Sequence, residues 1–581
     1  MRENWILKHR KGDFISEGKR LGISPILLRL LYNKDIKEDE QIKEYFKINR
    51  ERIFSYTGLP DIAPAADLLL SYIRNSDNHI RIIGDYDVDG TISTYILLKT
   101  IEILNPQLKT DYALPHRQTD GYGLNTRLID EAKQDGVNLI VTCDNGISAV
   151  GQIAYTKSLG MEVIVTDHHE PPFIEENGIK VYETPCCLKV DPKLDNNKYP
   201  FTDICGAVVA FKLMCAVYEK VGIQPETLRE YIPFLALATV CDVMPIINEN
   251  RDILKVGLPM LTNTSNIGLK ALKKAQQIQD KEVTTYTLGF ILGPCINAAG
   301  RLETAEMALD LLLCEDTEKA DEIAEKLKEL NDGRKEMTED MVKRALGIAD
   351  SEGYKDQKVL VIYLHDCHES IAGIVAGKVR EATGKPCLIV TQSEDGLKGS
   401  GRSIETYDMF EHLTEVKHLF TKMGGHKQAA GFSLKEKNLE PLRDELNARC
   451  GLSDEDIIPR VVIDMEIPFD HINLRLAEEL AALEPFGNGN SKPLFVQRDI
   501  EVTNTKICGK NKNVCQVILY DKQNETELKG VLFNDIDRFI TLCEEKGVLD
   551  LCFNIEVNEW NNNRNVQLVI KHFRSTNSAI E

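Results

Sequence analysis

No Cys-x-x-Cys pair occurs in the chain, although it carries fifteen cysteines. They are scattered without a repeated spacing, and Cys186 and Cys187 are adjacent, so they do not make a disulfide framework. Free thiols in a reducing cytoplasm are the economical expectation. Also missing is any apolar run of membrane-spanning length, and the opening MRENWILKHRKGDF has no apolar h-region. Positive charge is in deficit. A net charge of −21 argues against loose, patch-wide attraction to nucleic acid or an acidic membrane. A polyanionic substrate stays open, because cations can neutralise an acidic pocket while basic residues gather locally. What remains is an ordinary soluble composition, 43% apolar and 28% charged, over 581 residues, too long for one core. Length alone suggests roughly three to five domains.

The stretch around which the chain is organised is Ile80-Arg81-Ile82-Ile83-Gly84-Asp85-Tyr86-Asp87-Val88-Asp89-Gly90. Its first half is β-branched and apolar, which predicts a buried strand of a parallel sheet. Its second half sets three carboxylates at alternate positions where that strand ends, followed by a helix pattern from Thr91 to Leu104. Three like charges repel unless cations lie between them, so the stretch asks for metal. The alternative is a solvated acidic turn capping the helix. Two further buried strands end alike: Asn138–Cys143 runs into Asp144-Asn145-Gly146, and Glu162–Thr166 into Asp167-His168-His169-Glu170. Parallel strands bring such ends together, so scattered acids and imidazoles converge on one site. An almost wholly apolar helix then delivers Cys241-Asp242, and an acid there needs a cation or a hydrogen bond, which makes Asp242 a further candidate ligand beside simple capping.

Four basic features accompany this acidic centre. Arg117 lies in a glycine-bearing polar loop, where a phosphate clamp and a surface salt bridge are equal alternatives. Arg301 follows the small-residue stretch Gly293–Gly300, which suits close backbone approach to a ligand or a tight interdomain crossing. Lys398-Gly-Ser-Gly-Arg-Ser403 and Lys422-Met-Gly-Gly-His-Lys-Gln-Ala-Ala-Gly431 combine flexible backbone with cations, as a sugar–phosphate surface requires, unless they are only glycine turns. Between these regions Thr317–Asp350 reads as a long charged connecting helix. Beyond Ile458, six short strands predict a small closed barrel of oligonucleotide-binding type. It has a basic Lys506–Lys512 hairpin, and Tyr520, Phe533 and Trp560 are candidate stacking faces.

The ordered set Asp85–Gly90, Asp144–Ser148, Asp167-His168-His169 and Cys241–Pro245 resembles the DHH phosphoesterase superfamily, and Gly424-Gly425-His426 looks like its associated C-terminal module. Within it the whole chain resembles the RecJ family of single-strand-specific 5′→3′ exodeoxyribonucleases. The resemblance implies an α/β multidomain fold. A parallel-sheet DHH catalytic domain (76–316) follows an N-terminal helical segment (1–75). A connecting helix (317–350), a smaller α/β DHHA1-type nucleic-acid-binding domain (351–457) and an OB-fold domain (458–581) complete it. It further implies a pair of Mn²⁺ or Mg²⁺ ions held by Asp85, Asp87, Asp89, Asp144, His168 and Asp242. Asp87 and Asp144 belong to the catalytic set, and His169 takes an acid–base or supporting role. Phosphate contacts at Ser400, Arg402 and His426 match the family motifs, with Arg117 and Arg301 added. Relatives acting on small nucleotides usually carry histidine where this chain has Arg81, and Asp89 is an additional acid, so which of Asp85, Asp87 and Asp89 bind metal directly stays open.

The implied partners are single-stranded DNA, a single-strand-binding protein and a RecQ-type helicase, in recombination and repair. A cleft between two domains joined by the long helix would exclude duplex, with the barrel adding a stacking track. Two other readings stand beside this one: a DHH-type phosphodiesterase for short oligonucleotides or cyclic dinucleotides, and an inactive single-strand-binding scaffold.

Overall fold

The computed structural model describes residues 3–117, 120–176, 179–394, 396–509, 512–560 and 563–576. The chain divides into two compact units, residues 49–457 and residues 1–48 together with 458–581.

The first unit is built on five parallel strands: β1 (His79–Ile83), β2 (Lys109–Ala113), β3 (Leu139–Cys143), β4 (Glu162–Thr166) and β5 (Leu188–Val190). Their order is β2-β1-β3-β4-β5. Every residue of β1 and β3 is buried, as expected for a parallel sheet covered on both faces. One face packs Ile80, Ile82, Leu139, Val141 and Ile164 against α1 (Val88–Leu104), α2 (Gly206–Lys220) and α3 (Ile232–Cys241). The other face packs Ile83, Ile140, Val163 and Val165 against the helices at residues 126–134 and 150–158. All the strands run the same way, so the ends of β1, β3 and β4 open on one edge. That edge is where a doubly covered parallel sheet binds ligands.

The stretch 293–302 is helical, α4 (Gly293–Leu302), and the charged segment after it is one 33-residue helix, α5 (Thr317–Ala349), capped by Asp316. The first half of α5 buries Ala320, Ala324 and Leu327 in the catalytic core. Its second half buries Met341, Ala345 and Ala349 against the next sheet, which fastens the two domains into one unit. That sheet comprises β6 (Leu360–Tyr363), β7 (Cys387–Ser393), β8 (Gly396–Arg402), β9 (Phe420–His426) and β10 (Ala429–Leu434), in the order β9-β10-β8-β7-β6. The helix α6 (Glu369–Thr383) joins its two parallel strands, β6 and β7.

Here the glycine motifs differ from their sequence reading. They are extended, paired strands, the second motif folding back through the tight hairpin turn Lys427-Gln428. Gly399 is small because the Phe432 ring occupies the space its side chain would need.

In the second unit the strand Phe495–Cys508 pairs along its far end with Val514–Asp521 and along its near end with Val548–Trp560. With Thr526–Leu532 and Asn563–Ser575 completing the circuit, the sheet closes into a barrel. A strand with no sequence signal, Asn4–Leu7, pairs in parallel with Arg460–Ile463 and buries Trp5. Helix Pro25–Asn33 lays Leu27, Leu28, Leu30 and Leu31 into the barrel's core.

Candidate metal centre and phosphate face

Asp85, Asp87 and Asp89 occupy the turn from β1 into α1. Asp87 caps the helix, one carboxylate oxygen accepting from the amides of Asp89 (2.9 Å) and Gly90 (3.1 Å). Gly90 lets the helix start directly over Asp85, whose backbone stands where a side chain would go. Asp89 turns to the start of α2, where the amides of Gly206 and Ala207 donate to its two oxygens at 2.6 and 2.8 Å. Asp144 follows β3 in a left-handed conformation, φ 61°, and its Oδ1 lies 3.1 Å from Nε2 of His168, beyond β4. Asp242, directly after α3, comes within 3.6 Å of the same nitrogen, and Asp89 within 3.7 Å.

The donors fall into groups whose atoms all lie within 4.8 Å of one another. One is Asp85, Asp87 and Asp144, a second is Asp89, His168 and Asp242, and a third is Asp144, His168 and His169. Asp144 therefore stands between the first two sets. Three strand ends and one helix end converge.

The electrostatics fit cations. Burial, then the neighbouring carboxylates, hold Asp85 and Asp144 well above the usual carboxylate range. The same causes raise Asp89 to about 6 and Asp242 to about 9. Asp85 Oδ1 and Asp242 Oδ2 are buried without a hydrogen-bond partner, a costly state for carboxylate oxygens that a divalent ion would relieve. One imidazole among five carboxylates suits Mn²⁺ and admits Mg²⁺.

The two histidines differ. Burial, then the charge of His169, lowers His168 to about 4, which leaves it neutral with a lone pair to offer. Burial also opposes charge on His169. Its Nδ1 nevertheless bonds Asp167 at 2.7 Å, and that bond with the surrounding acids carries it to about 9.

The basic residues assemble beside this centre. The Arg117 guanidinium stacks over the Tyr86 ring at 4.9 Å. Arg301 donates to the Ser370 carbonyl at 2.8 Å across the domain junction. Burial, then the charges of Arg117 and Arg334, lowers it to about 10. Arg402 is lowered by burial and by Arg380 and Arg117. Cations held this close together favour an anion among them.

Register explains the two glycine motifs. In the cross-strand rows Ser400–Gly431–Gly424 and Arg402–Ala429–His426, side chains share one face of the sheet. Lys398 and Lys422 lie in the row before, opposite Ser433. Alternate glycines thus leave a floor between basic walls. Arg117, Ser370, Lys398, Ser400 and Lys422 line the resulting cleft. His426 lies exposed at the far corner of that face, outside the cleft lining.

Some expectations need correction. The close backbone approach in Gly293–Gly300 is made to the protein itself: Gly300 sits against the Tyr86 carbonyl. Arg81 stays out of the metal cluster. Its guanidinium bonds Asp111 at 2.7 and 2.8 Å and Asp135 at 2.7 Å. In the barrel Phe533 is half exposed and Tyr520 partly so, while Lys510 and the Trp560 side chain lie outside the described residues.

Four positioning residues escaped the sequence. Asp167 accepts from the amides of Ile147, His168 and His169, and so shapes the turn that aims both histidines. Asn297 accepts from Val88 at 3.1 Å and pins the acidic turn to α4. Asn145 staples the ends of β1 and β3 through the Ile83 and Cys143 carbonyls. Tyr122 donates to the Asp144 carbonyl at 2.8 Å and lies 3.2 Å from the His169 ring nitrogens. For Asp167 the signal was present, since it opens the Asp-His-His triplet. Asn145 lies within the Asp144–Ser148 motif, and nothing in spacing marks Asn297 or Tyr122.

Family models match in the order the fold displays: DHH family, N-terminal domain, at residues 79–239; DHHA1 domain at 356–451; and RecJ OB domain at 463–572. The single-stranded-DNA-specific exonuclease RecJ of Bacillus subtilis (strain 168) is 32% identical, the match covering 98% of this chain and 70% of that protein. RecJ of Haemophilus influenzae is 30% identical over 98% of each chain. The crystal structure of RecJ in complex with Mn²⁺ from Thermus thermophilus superposes with a TM-score of 0.83 at 26% identity, covering 99% of this chain and 80% of that one. With relatives matched along nearly its whole length and three domains in the same order, this chain belongs to the RecJ family.

Proposed function

We propose that the protein is a single-stranded-DNA-specific exonuclease that releases 5′-mononucleotides from a 5′ end by a two-metal hydrolysis. The carrying observation is the convergence of five carboxylates and a neutral imidazole, beside a basic face whose Arg117 and Arg301 reach it from the catalytic domain. Asp85, Asp87 and Asp144 would hold one ion, and Asp89, His168 and Asp242 the other, with Asp144 available to both. When bound, the ions supply Lewis-acid chemistry, lowering the pKa of water and neutralising charge on the phosphoryl group.

The chain's own residues supply the rest. Hydrolysis of the P–O3′ bond leaves a 3′ oxygen that needs a proton, and charged His169, oriented by Asp167, is the group assigned to give it. Arg117, Arg301, Arg402 and Ser400 are assigned to the phosphates of the first nucleotides, and His426 to the rim of that face. Phe533 and Tyr520 are assigned to stacking on the barrel.

This reading carries the domain division at 75, 316, 350 and 457. It also carries a cytoplasmic setting, and work beside a RecQ-type helicase and a single-strand-binding protein in recombination and repair. No helix among the described residues is long and apolar enough to cross a membrane.

Digestion of 5′-labelled, 5′-phosphorylated single strands with Mn²⁺ or Mg²⁺ should release labelled mononucleotide as first product, with chelator abolishing it and blunt duplex resisting. Equal attack on blunt duplex, or internal cutting, would refute the reading. A short-oligonucleotide phosphodiesterase would stall on long strands, and an inactive scaffold would bind without turnover.

A further inference from the structure

Ahead of α4 the chain is already helical. A short helix at Thr285–Thr287 passes into a π-helical turn, Leu288–Leu292, and then into α4 without a break. One edge of this run is accessible. Tyr286 and Phe290 are 64% and 67% exposed, and Pro294, Asn297 and Arg301 are partly exposed. Leu288, Leu292, Cys295, Ile296, Ala298, Ala299 and Gly300 between them are buried.

The edge thus starts at Arg301 on the domain junction and passes Asn297, which holds the acidic turn. It ends at two aromatic rings stacked on each other, centroids 4.9 Å apart and planes 22° from parallel. The run is braced against the helix that presents Asp242: Gly289 packs on Val240 and Gly293 on Cys241. Two large rings left in water gain little from their own i,i+4 contact, about 0.2–0.5 kcal/mol, so helix stability does not explain them. Their flat faces are what an unpaired base stacks on.

We propose that Tyr286 and Phe290 form a stacking step for a base of the single-stranded substrate, on the 3′ side of the bond being cut. The inference rests on the exonuclease reading and deepens it, because the step lies on the same helical run whose Asn297 holds the acidic turn. The 5′ phosphate lies towards the basic face, the scissile phosphate at the acidic centre, and the strand leaves along this edge. From Asn297 or Arg301 back to Phe290 is about 10–16 Å of helix, the length of about three to five stacked nucleotides. The step therefore grips the strand several bases behind the cut. It sorts substrates by length and by freedom from pairing, since a base in a duplex offers no free face.

The test uses the full-length protein, the double variant Tyr286→Ala/Phe290→Ala, and 5′-phosphorylated DNA strands of 20 and 3 nucleotides with Mn²⁺. Both positions are exposed, so the melting temperature should stay close to that of the parent. KM for the 20-mer should rise about 5- to 100-fold with kcat within about twofold, whereas the 3-mer should be unaffected. The aromatic exchange Tyr286→Phe/Phe290→Tyr should restore KM. In the parent, 2-aminopurine placed along the strand should be quenched most at one position three to five nucleotides from the cut, and the variant should lose that quenching. An unchanged KM on the 20-mer, an equal loss on the 3-mer, or quenching indifferent to the variant overturns the step. Failure of the parent protein to degrade single strands would instead overturn the exonuclease reading beneath it.

Discussion

Replacing Gly300 by alanine separates two effects that usually travel together. Gly300 lies in α4, where alanine by intrinsic preference is better than glycine by about 1 kcal/mol. Its added methyl would lie well inside 3.0 Å of the Tyr86 carbonyl oxygen, a separation real Cβ atoms do not show. Backbone, rather than a movable side chain, is in the way. Overpacking of this kind costs about 1–3 kcal/mol, so the net loss of stability should be about 0–2 kcal/mol, a small shift in melting temperature. The functional loss should be far larger. Tyr86 stands between Asp85 and Asp87, and the next turn is pinned by the 3.1 Å bond from Val88 to Asn297. A retreat of about 1 Å would move two of the expected ligands, and a misplacement of that size costs about 100-fold in rate. Single-strand digestion, Mn²⁺ binding by calorimetry and thermal melting should be measured on the same preparation. Gly333→Ala and Gly347→Ala, in α5 with no atom within 4 Å of the new methyl, are the controls. They should stabilise by up to about 1 kcal/mol with unchanged activity. If Gly300→Ala behaves as they do, with activity and metal affinity within about twofold of the parent, the claim that α4 sets the acidic turn is wrong.

Three further outcomes follow from the same geometry. Asp242→Asn should lower activity by at least about 100-fold yet raise the metal-free melting temperature at neutral pH, because it removes the cost of protonating this buried acid on folding; a lower metal-free melting temperature would contradict this. Metal-free protein should lose stability as pH rises from about 4 towards about 9. Asp89 and Asp242 hold protons to about 6 and about 9 in the fold but release them near 4 when unfolded, so the folded state binds the extra protons. Thermal melting in chelator across that range checks the sign, and Mn²⁺ should reverse the loss. Arg81→Met should cost about 1–3 kcal/mol by denaturant titration while leaving kcat within about twofold. It strips Asp111 of its two-pronged partner far from the metal ligands, and a large fall in kcat would place Arg81 in the site after all.

The catalytic sheet was legible because a buried parallel strand writes itself as a continuous apolar run, and acids directly after three such runs have one edge on which to meet. The partners that aim those acids were not legible. Asn297 reaches Val88 from a helix about two hundred residues away, and no local pattern encodes such a contact. Arg81 sits inside the most informative stretch of the chain, yet strand alternation turns it away from the turn and towards Asp111 and Asp135. The motifs around Ser400 and Gly424 looked like loops because glycine is usually punctuation. Here glycine clears space on one face for Phe432 and on the other leaves the floor of the cleft open, which only the strand register reveals. Asn4–Leu7 is four residues long and pairs with a strand more than 450 residues on, so its existence depends wholly on tertiary context.

The most direct test of the whole account is anomalous diffraction from crystals soaked in Mn²⁺. Two peaks are expected, one among the carboxylates of Asp85, Asp87 and Asp144 and the other among Asp89, His168 and Asp242. Density without a peak at either place, or a manganese held elsewhere while these side chains remain unliganded, would contradict it.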